Sequence, residues 1–269
     1  MATLLFYERP VPLNVDVHLK ARLGSLGANA GFAAQTNSIP LAAVEFIDTA
    51  REYPIAFTGK EGGALFPIAL VGVRHNENLF VTPDNRWDGR YIPAFVRRYP
   101  FVLAEKQGAD DFNVYIDEAF PGFNAADGER LFTDQGEHAP LLQQALEFLG
   151  TYQGEITRTR QFVERLQALD LLIPRVLEVV RNNEPPMVLQ GFSVVDEQRL
   201  AALSDADLLS LARDGYLALI YAHLGSLGNV TRLSERLDAR LVAATPVAAE
   251  EATEPGSSTR KKRGNGKDT

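Results

Sequence analysis

The strongest constraint on the fold is a series of five short apolar runs between residues 54 and 117. The runs cover residues 55–58, 66–74, 79–82, 101–105 and 112–117. The connection 75–78 has the length and polarity of a turn between two antiparallel strands. The predicted fold class is therefore α+β, with a mostly antiparallel sheet of about five short strands and helices packed against it.

One helix is predicted before the first strand and one between the later strands. Ser38, followed by Pro40, marks the start of a helix that ends before Pro54, because a proline forces the residue before it out of the α-helical region. A second, shorter helix over residues 90–99 ends at Pro100 for the same reason.

The C-terminal half is predicted to be mainly helical. Gly150 and Gly154 indicate a turn between two amphipathic helices. The apolar runs 176–180 and 187–194 then predict a β-hairpin, since a short polar connection separates them. Ser204 has the side chain and the acidic followers of a helix N-cap, which predicts the start of another helix there.

We predict a single α+β body over residues 1–244, with a candidate subdivision near residue 136 into a sheet-rich and a helix-rich part. Residues 245–269 contain one large apolar side chain, Val247. They bury too little surface to offset the entropy lost on ordering, which predicts a disordered C-terminal tail.

Composition excludes several classes of function. The chain has 27 Lys+Arg against 35 Asp+Glu, a formal net charge of −8 and a pI near 5.1, which argues against a nucleic-acid partner. It has no Cys, so disulfides and thiolate chemistry are excluded. No apolar run approaches the ~18 residues of a membrane span, and no secretory signal is visible. We expect a cytoplasmic protein with no membrane span, whose oligomeric state stays open.

Several motif-like segments lack the chemistry they first suggest. The glycine-rich segment 59–63 does not have the GxxxxGK[ST] spacing of a phosphate-binding loop. Residues 84–89 resemble the start of a calcium loop, but Arg86 occupies the third ligand position. The four histidines form no pair at metal-ligand spacing. The prediction is that the protein has no metal and no cofactor, and no catalytic residue is assigned.

One segment, residues 86–101, combines binding side chains in an otherwise acidic protein. It holds the only Trp of the chain and four arginines, and these two residue types carry much of the binding energy of interfaces. The candidate binding residues are Arg86, Trp87, Arg90, Tyr91, Arg97 and Arg98, together with Asp117 and Glu118. The structural alternative is that Trp87 packs in the core and that the arginines pair with nearby acids.

The same segment resembles the SapC family of bacterial proteins. The matching motifs are WDGRYIPAFVRRYPF at 87–101, NSIPL at 37–41, AREYPI at 50–55, YIDE at 115–118 and GERLF at 128–132. The resemblance covers nearly the whole body, up to about residue 237. It implies an association with the bacterial envelope, because the family is named from a surface-layer protein export locus and its relatives occur near outer-membrane receptor genes. It implies no reaction and no set of catalytic residues.

Two functional hypotheses follow. The first is a soluble accessory or binding protein associated with an envelope export or uptake system through a protein partner. The second is an enzyme or sensor that binds a small anionic metabolite. There the four arginines would recognise the anion, Trp87 and Tyr91 would form a stacking wall, and Asp117 or Glu118 would transfer protons. Whether the protein is an enzyme stays open at this point.

Overall fold

The computed structural model describes residues 5–25, 29–59, 63–105, 112–181 and 184–244. The strands are β1 (Pro10–Pro12), β2 (Arg22–Leu23), β3 (Ser38–Pro40), β4 (Ile55–Gly59), β5 (Leu65–Leu70), β6 (Phe101–Glu105), β7 (Phe112–Asp117), β8 (Glu129–Arg130), β9 (Leu172–Arg181) and β10 (Glu184–Val195). The α-helices are α1 (Val15–His18), α2 (Phe46–Thr49), α3 (Ala94–Arg97), α4 (Pro140–Ala168), α5 (Glu197–Ala201), α6 (Asp205–Arg213), α7 (Tyr216–Ser226) and α8 (Val230–Ala244). The predicted tail, residues 245–269, lies outside the described residues.

All strand pairs are antiparallel. The larger sheet has the order β3-β5-β4-β10-β9, a second sheet has the order β1-β7-β6, and β2 pairs with β8. The predicted α+β class, with antiparallel sheets and a helical C-terminal half, is confirmed. The division into one body over residues 1–244 stays a prediction.

The prediction of a hairpin between residues 66–74 and 79–82 is wrong. β5 ends at Leu70, and both of its edges are taken, by β4 on one side and by β3 on the other. Because no edge of β5 is left for a third partner, residues 79–82 form no strand: Leu79 and Phe80 lie in a turn, and Val81 makes an isolated bridge with Trp87.

Two predicted helix boundaries are also wrong. Ser38 begins strand β3, because its backbone pairs with Leu70 of β5, and α-helix starts only at Phe46. The predicted helix 90–99 is reduced to α3, which follows an extended Pro93 with ψ 143°.

Helix α4 runs without the predicted turn at Gly150 and Gly154. A Cβ atom added at either glycine would meet nothing within 4 Å, so both positions lie on an open face of the helix. Each glycine costs the helix roughly 1 kcal/mol relative to alanine, and burial of Leu149 and Phe162 on the opposite face offsets that cost. α4 is 29 residues long, but in the described part of the chain no helix has both the length and the apolar character needed to cross a bilayer.

Helix α4 connects the two main hydrophobic clusters of the protein. Its first half contributes Leu142 and Leu149 to the cluster beneath the three-stranded sheet. Its second half contributes Phe162 and Leu166 to the cluster beneath the five-stranded sheet. The middle of α4 therefore lies at the junction between the two sheets, where side chains fill the space less completely.

The C-terminal helices close the five-stranded sheet. His223 of α7 is fully buried between β4 and β10, where its Nε2 accepts a hydrogen bond from the Val195 amide at 3.0 Å and its Nδ1 lies 3.0 Å from the Ile55 carbonyl. Helix α8 packs Leu233 and Leu237 into the same cluster. Helices α7 and α8 thus cover one face of the five-stranded sheet with apolar side chains.

Candidate functional site

Two buried glutamates hold the segment that the sequence singled out. Glu52 accepts hydrogen bonds from the backbone amides of Arg90 and Tyr91, at 2.6 and 3.0 Å. Glu45 accepts from the Tyr91 hydroxyl at 2.8 Å and from the Ala94 amide at 2.7 Å. Both carboxylates are 4% exposed. The segment is therefore fixed through its backbone, which leaves the arginine side chains outside this network.

Trp87 and Tyr91 belong to the same network. The Trp87 Nε1 donates to the Tyr53 hydroxyl at 3.1 Å and to the Tyr91 carbonyl at 3.2 Å, and its ring stacks on Phe80. Burial raises the pKa of the Tyr53 hydroxyl. This hydroxyl donates a hydrogen bond to the Tyr91 carbonyl at 2.6 Å. For Trp87 the contacts favour the structural alternative, although one edge of the ring also lines a small cleft.

Three of the four arginines in the segment lie on the surface. Arg86 pairs with Asp84 at 2.5 Å, and its side chain is 73% exposed. Arg90 is exposed. Arg97 is exposed, donates to the Ile92 carbonyl at 3.0 Å and lines the cleft of about 280 Å³ that Trp87 also lines. The four guanidinium groups therefore do not converge on one point.

The Asp117 carboxylate is fully buried and accepts hydrogen bonds mainly from backbone amides. It accepts from the amides of Glu8 and Arg9 at 2.9 Å each, from the Ala119 amide at 3.0 Å and from the Tyr99 hydroxyl at 3.2 Å. These bonds attach the segment before β1 to the end of β7. Burial and the Asp117 charge both raise the pKa of Tyr99, so this hydroxyl stays protonated.

Glu118 lies in a different place. Its carboxylate is 3.2 Å from the Arg9 guanidinium and 3.4 Å from the buried His18 Nε2. It lines a cleft of about 480 Å³ beside α1, with Lys20 and Arg22 at the same opening. Glu118 therefore lines an opening that Asp117 does not line, and neither acid lines the cleft that Arg98, the fourth arginine, lines.

Arg98 lines a cleft of about 400 Å³ between the middle of α4 and the edge of the five-stranded sheet, hereafter the α4 cleft. Strands β3 and β5 form one wall, α4 forms the other, and α3 closes one end. The lining residues are Pro40, Leu41, Ala64, Leu65, Phe66, Pro67, Phe95, Arg98, Tyr152, Gln153, Ile156, Thr159, Arg160 and Val163. This size falls in the range of small-molecule binding sites.

The Arg98 guanidinium is held by aromatic rings rather than by an acid. Its Cζ lies 3.9 Å from the ring centre of Phe95, 5.6 Å from that of Tyr152 and 5.9 Å from that of Tyr7. Its Nε is buried and has no hydrogen-bond partner among the described residues. Burial raises the pKa of Tyr7 to about 12, while the nearby Arg98 charge opposes that rise. Arg98 thus lies among aromatic rings at the end of the cleft, without an ion pair to a described acid.

The electrostatics of the α4 cleft are one-sided. Arg98 and Arg160 are the charged side chains among its described lining residues, and no described acid lines it. Arg160 forms no ion pair with a described residue and is exposed. The Tyr152 hydroxyl has no hydrogen-bond partner in the described ranges, and burial raises its pKa, so it stays a neutral donor. This arrangement favours an anion.

Sequence reasoning named Arg98 but missed Tyr152 and Arg160. The predicted turn at Gly150 and Gly154 placed the helix residues of the cleft in two separate elements. The signal that could have found them is the recurrence of Tyr152, Ile156 and Val163 at helical spacing, which lines up only if α4 is continuous. Across the described ranges no group of three or more His, Asp or Glu side chains is arranged to hold a metal ion.

Comparison with known proteins identifies one family. The SapC family model matches residues 13–233 of the 269-residue chain. The matched range includes every residue of the α4 cleft and ends inside α8. No curated protein and no solved structure matches the chain.

Proposed function

The chain belongs to the SapC family, and from that premise we propose that it is an accessory binding protein of a bacterial envelope export or uptake system. Its ligand carries an anionic group, which binds to Arg98 in the α4 cleft. The proposed location is the cytoplasm, where a chain without cysteine has no need of disulfides.

One observation carries this proposal: an apolar cleft whose described lining holds two arginines and no acid, in a protein of net charge −8. A buried or half-buried cation without a counter-ion is costly. An anionic ligand supplies that counter-ion, and the planar guanidinium favours a carboxylate or a phosphate. The rings around Arg98 hold it in place before the ligand arrives, which reduces the entropy lost on binding.

The second candidate is a sensor or enzyme that acts on the same small anion. Within the segment 86–98, Arg98 is the residue that the cleft supports for this role as well. Proton transfer by Asp117 or Glu118 has less support, because neither lines the α4 cleft and Asp117 already accepts four hydrogen bonds. The structure therefore supports a sensor that binds the anion better than an enzyme that transfers protons to it.

The binding step is tested by a thermal-shift screen of small carboxylates, phosphates, sulfates and their uncharged analogues. We expect anions at millimolar concentration to stabilise the wild type and the Arg86→Gln variant but not Arg98→Gln. Arg86→Gln is the matched control, because Arg86 lies outside the cleft. Failure of every anion to raise the melting temperature, or an equal rise in Arg98→Gln, would contradict the proposal.

The association with an export or uptake system needs a separate experiment. Envelope fractions of the native host are passed over immobilised wild type and Arg97→Ala, since Arg97 is exposed and belongs to the family-specific motif. The proposal expects an identified export or uptake component to be retained by the wild type above a mock column and to be retained less by the variant. Retention of no such component would remove the envelope part of the proposal and leave the anion site intact.

A further inference from the structure

The α4 cleft has a polar end and an apolar floor, and the two differ in what they can bind. At the polar end, Arg98 supplies a positive charge that no described acid pairs with, and the Tyr152 hydroxyl supplies a hydrogen-bond donor. The floor is formed by aliphatic and aromatic side chains, namely Leu41, Leu65, Phe66, Ile156 and Val163. A small hydrophilic anion such as phosphate would satisfy the polar end and leave the floor exposed to water.

We propose that the occupant is a free alkyl carboxylate of medium chain length, with its head group on Arg98 and its chain along the floor towards Val163. This inference rests on the proposed function and specifies the ligand class of the same site. Bound in this way, the carboxylate accepts hydrogen bonds from the guanidinium and from Tyr152, while the chain covers apolar surface that is otherwise wet.

The exposure of Phe66 supports an apolar ligand at the floor. Phe66 is 46% exposed although it lies in β5, whose residues from Pro67 onward are buried. Leu65 and Ile156 beside it are half-buried. Contiguous exposed apolar side chains next to a cavity are typical of ligand-binding grooves. An alkyl chain fits this surface because it needs no hydrogen-bond partner.

Arg160 is placed less well to hold the head group. It is eight positions beyond Tyr152 on α4, about 12 Å along the helix axis, and it is exposed, whereas Arg98 is half-buried among aromatic rings. An exposed guanidinium interacts weakly with an anion because water screens the charge. Arg160 therefore adds positive charge to the cleft, but Arg98 is the residue that holds the head group.

The test is calorimetric titration of the full chain with butanoate, octanoate and the uncharged analogue octanol. We expect affinity to rise about fourfold for each added methylene between butanoate and octanoate, and octanol to bind at least tenfold more weakly than octanoate. Arg98→Gln should weaken octanoate binding at least tenfold, whereas Arg86→Gln, which lies outside the cleft, should change it less than threefold.

A second variant keeps the test decisive if Arg98→Gln does not fold. Ile156→Phe fills the middle of the floor and leaves Arg98 in place, so it should abolish the chain-length dependence while butanoate still binds. Octanoate binding that is unchanged in Ile156→Phe would overturn the inference.

The remaining outcomes separate this inference from the proposed function. Equal affinity for butanoate and octanoate would overturn the alkyl chain but retain the anion site. Binding to neither, together with no effect of any other anion, would overturn both. Binding to phosphatidylglycerol vesicles that Arg98→Gln abolishes and free octanoate does not compete would assign the site to a membrane surface instead.

Discussion

The network around Trp87 and the α4 cleft share the segment 86–98, but they differ in how their charged side chains are paired. In the first, Glu45 and Glu52 are almost fully buried, and each accepts at least two hydrogen bonds from the segment between Arg90 and Ala94. In the second, Arg98 has no described carboxylate beside it. The buried acids of this region are used by the backbone, and the cleft arginine is left without one.

The comparison teaches that neighbouring residues of one motif can lie in two different environments. The part of the motif that precedes Ala94 is structural, because its amides and rings are bonded to buried glutamates and tyrosines. The part that follows, with Arg98, faces a cleft. Four perturbations, described below from the largest expected effect to the smallest, test this division.

Asp117→Ala should have the largest effect. The substitution leaves three amides and the Tyr99 hydroxyl without their acceptor at a fully buried position. We expect the free energy of unfolding to fall by about 3–5 kcal/mol, measured by urea denaturation. Asp84→Ala, which removes a carboxylate whose side chain is 57% exposed, is the control and should leave the midpoint nearly unchanged. A small loss in Asp117→Ala would show that water replaces the carboxylate.

A fall in pH should have the next largest effect, through His223. Burial lowers the pKa of His223 from 6.5 to about 4. Between these two values the unfolded chain binds the proton and the folded protein does not, so the free energy of unfolding decreases as pH falls from 6.5 to 4. The difference corresponds to about 3 kcal/mol. Urea denaturation at several pH values measures it.

The matched variant for His223 is His223→Gln, whose amide can accept from Val195 and donate to Ile55 without titrating. Its stability should depend less on pH over the same range than that of the wild type. Identical pH dependence in the two proteins would mean that other groups are responsible.

Glu45→Gln should destabilise the protein by about 2 kcal/mol. Glu45 accepts three hydrogen bonds through its two oxygens, and an amide offers a single oxygen and places an NH₂ group against a donor. Chemical denaturation measures the loss. A variant as stable as the wild type would show that the hydrogen bonds of Glu45 do not hold the segment before Ala94 in place.

Arg98→Gln should have the smallest effect on the ligand-free protein, about 1 kcal/mol or less. The expected loss is limited to the contacts of the guanidinium with Phe95 and its neighbours. Thermal melting in ligand-free buffer measures it. A loss as large as that of Glu45→Gln would place Arg98 with the structural part of the motif and remove the distinction between the two regions.

Local sequence signals predicted the elements that depend on local interactions. The β9–β10 hairpin followed from two apolar runs around a polar turn, and Ser204 caps α6 by accepting from the Asp207 amide at 3.2 Å. β3 was not predicted, because its pairing with β5 joins segments that are distant in the chain. The continuity of α4 was missed because burial of one face outweighs two glycines on the other.

The candidate site was predictable in part for the same reason. Arg98 was identifiable from the unusual density of arginine beside the only Trp. Its aromatic neighbours Tyr7 and Tyr152 are more than 50 positions away from Arg98 in the chain, and no local pattern connects them to Arg98. No described acid lines the cleft. This could not be predicted from the sequence, because the lining residues come from distant segments that only the fold brings together.

The contacts of helix α8 have a consequence for the timing of synthesis. Arg240 donates to the carbonyls of Asn78 and Val81, at 2.9 and 2.6 Å, and Arg236 donates to the Asp88 carbonyl at 2.7 Å. These bonds secure the loop that carries Trp87, but Arg236 is made 148 residues after Asp88. At about 5–20 residues per second, Arg236 is synthesised roughly 7–30 s after Asp88, so the loop lacks these hydrogen-bond donors for that time. The segment that carries Trp87 therefore reaches its final form only after most of the described chain has been synthesised.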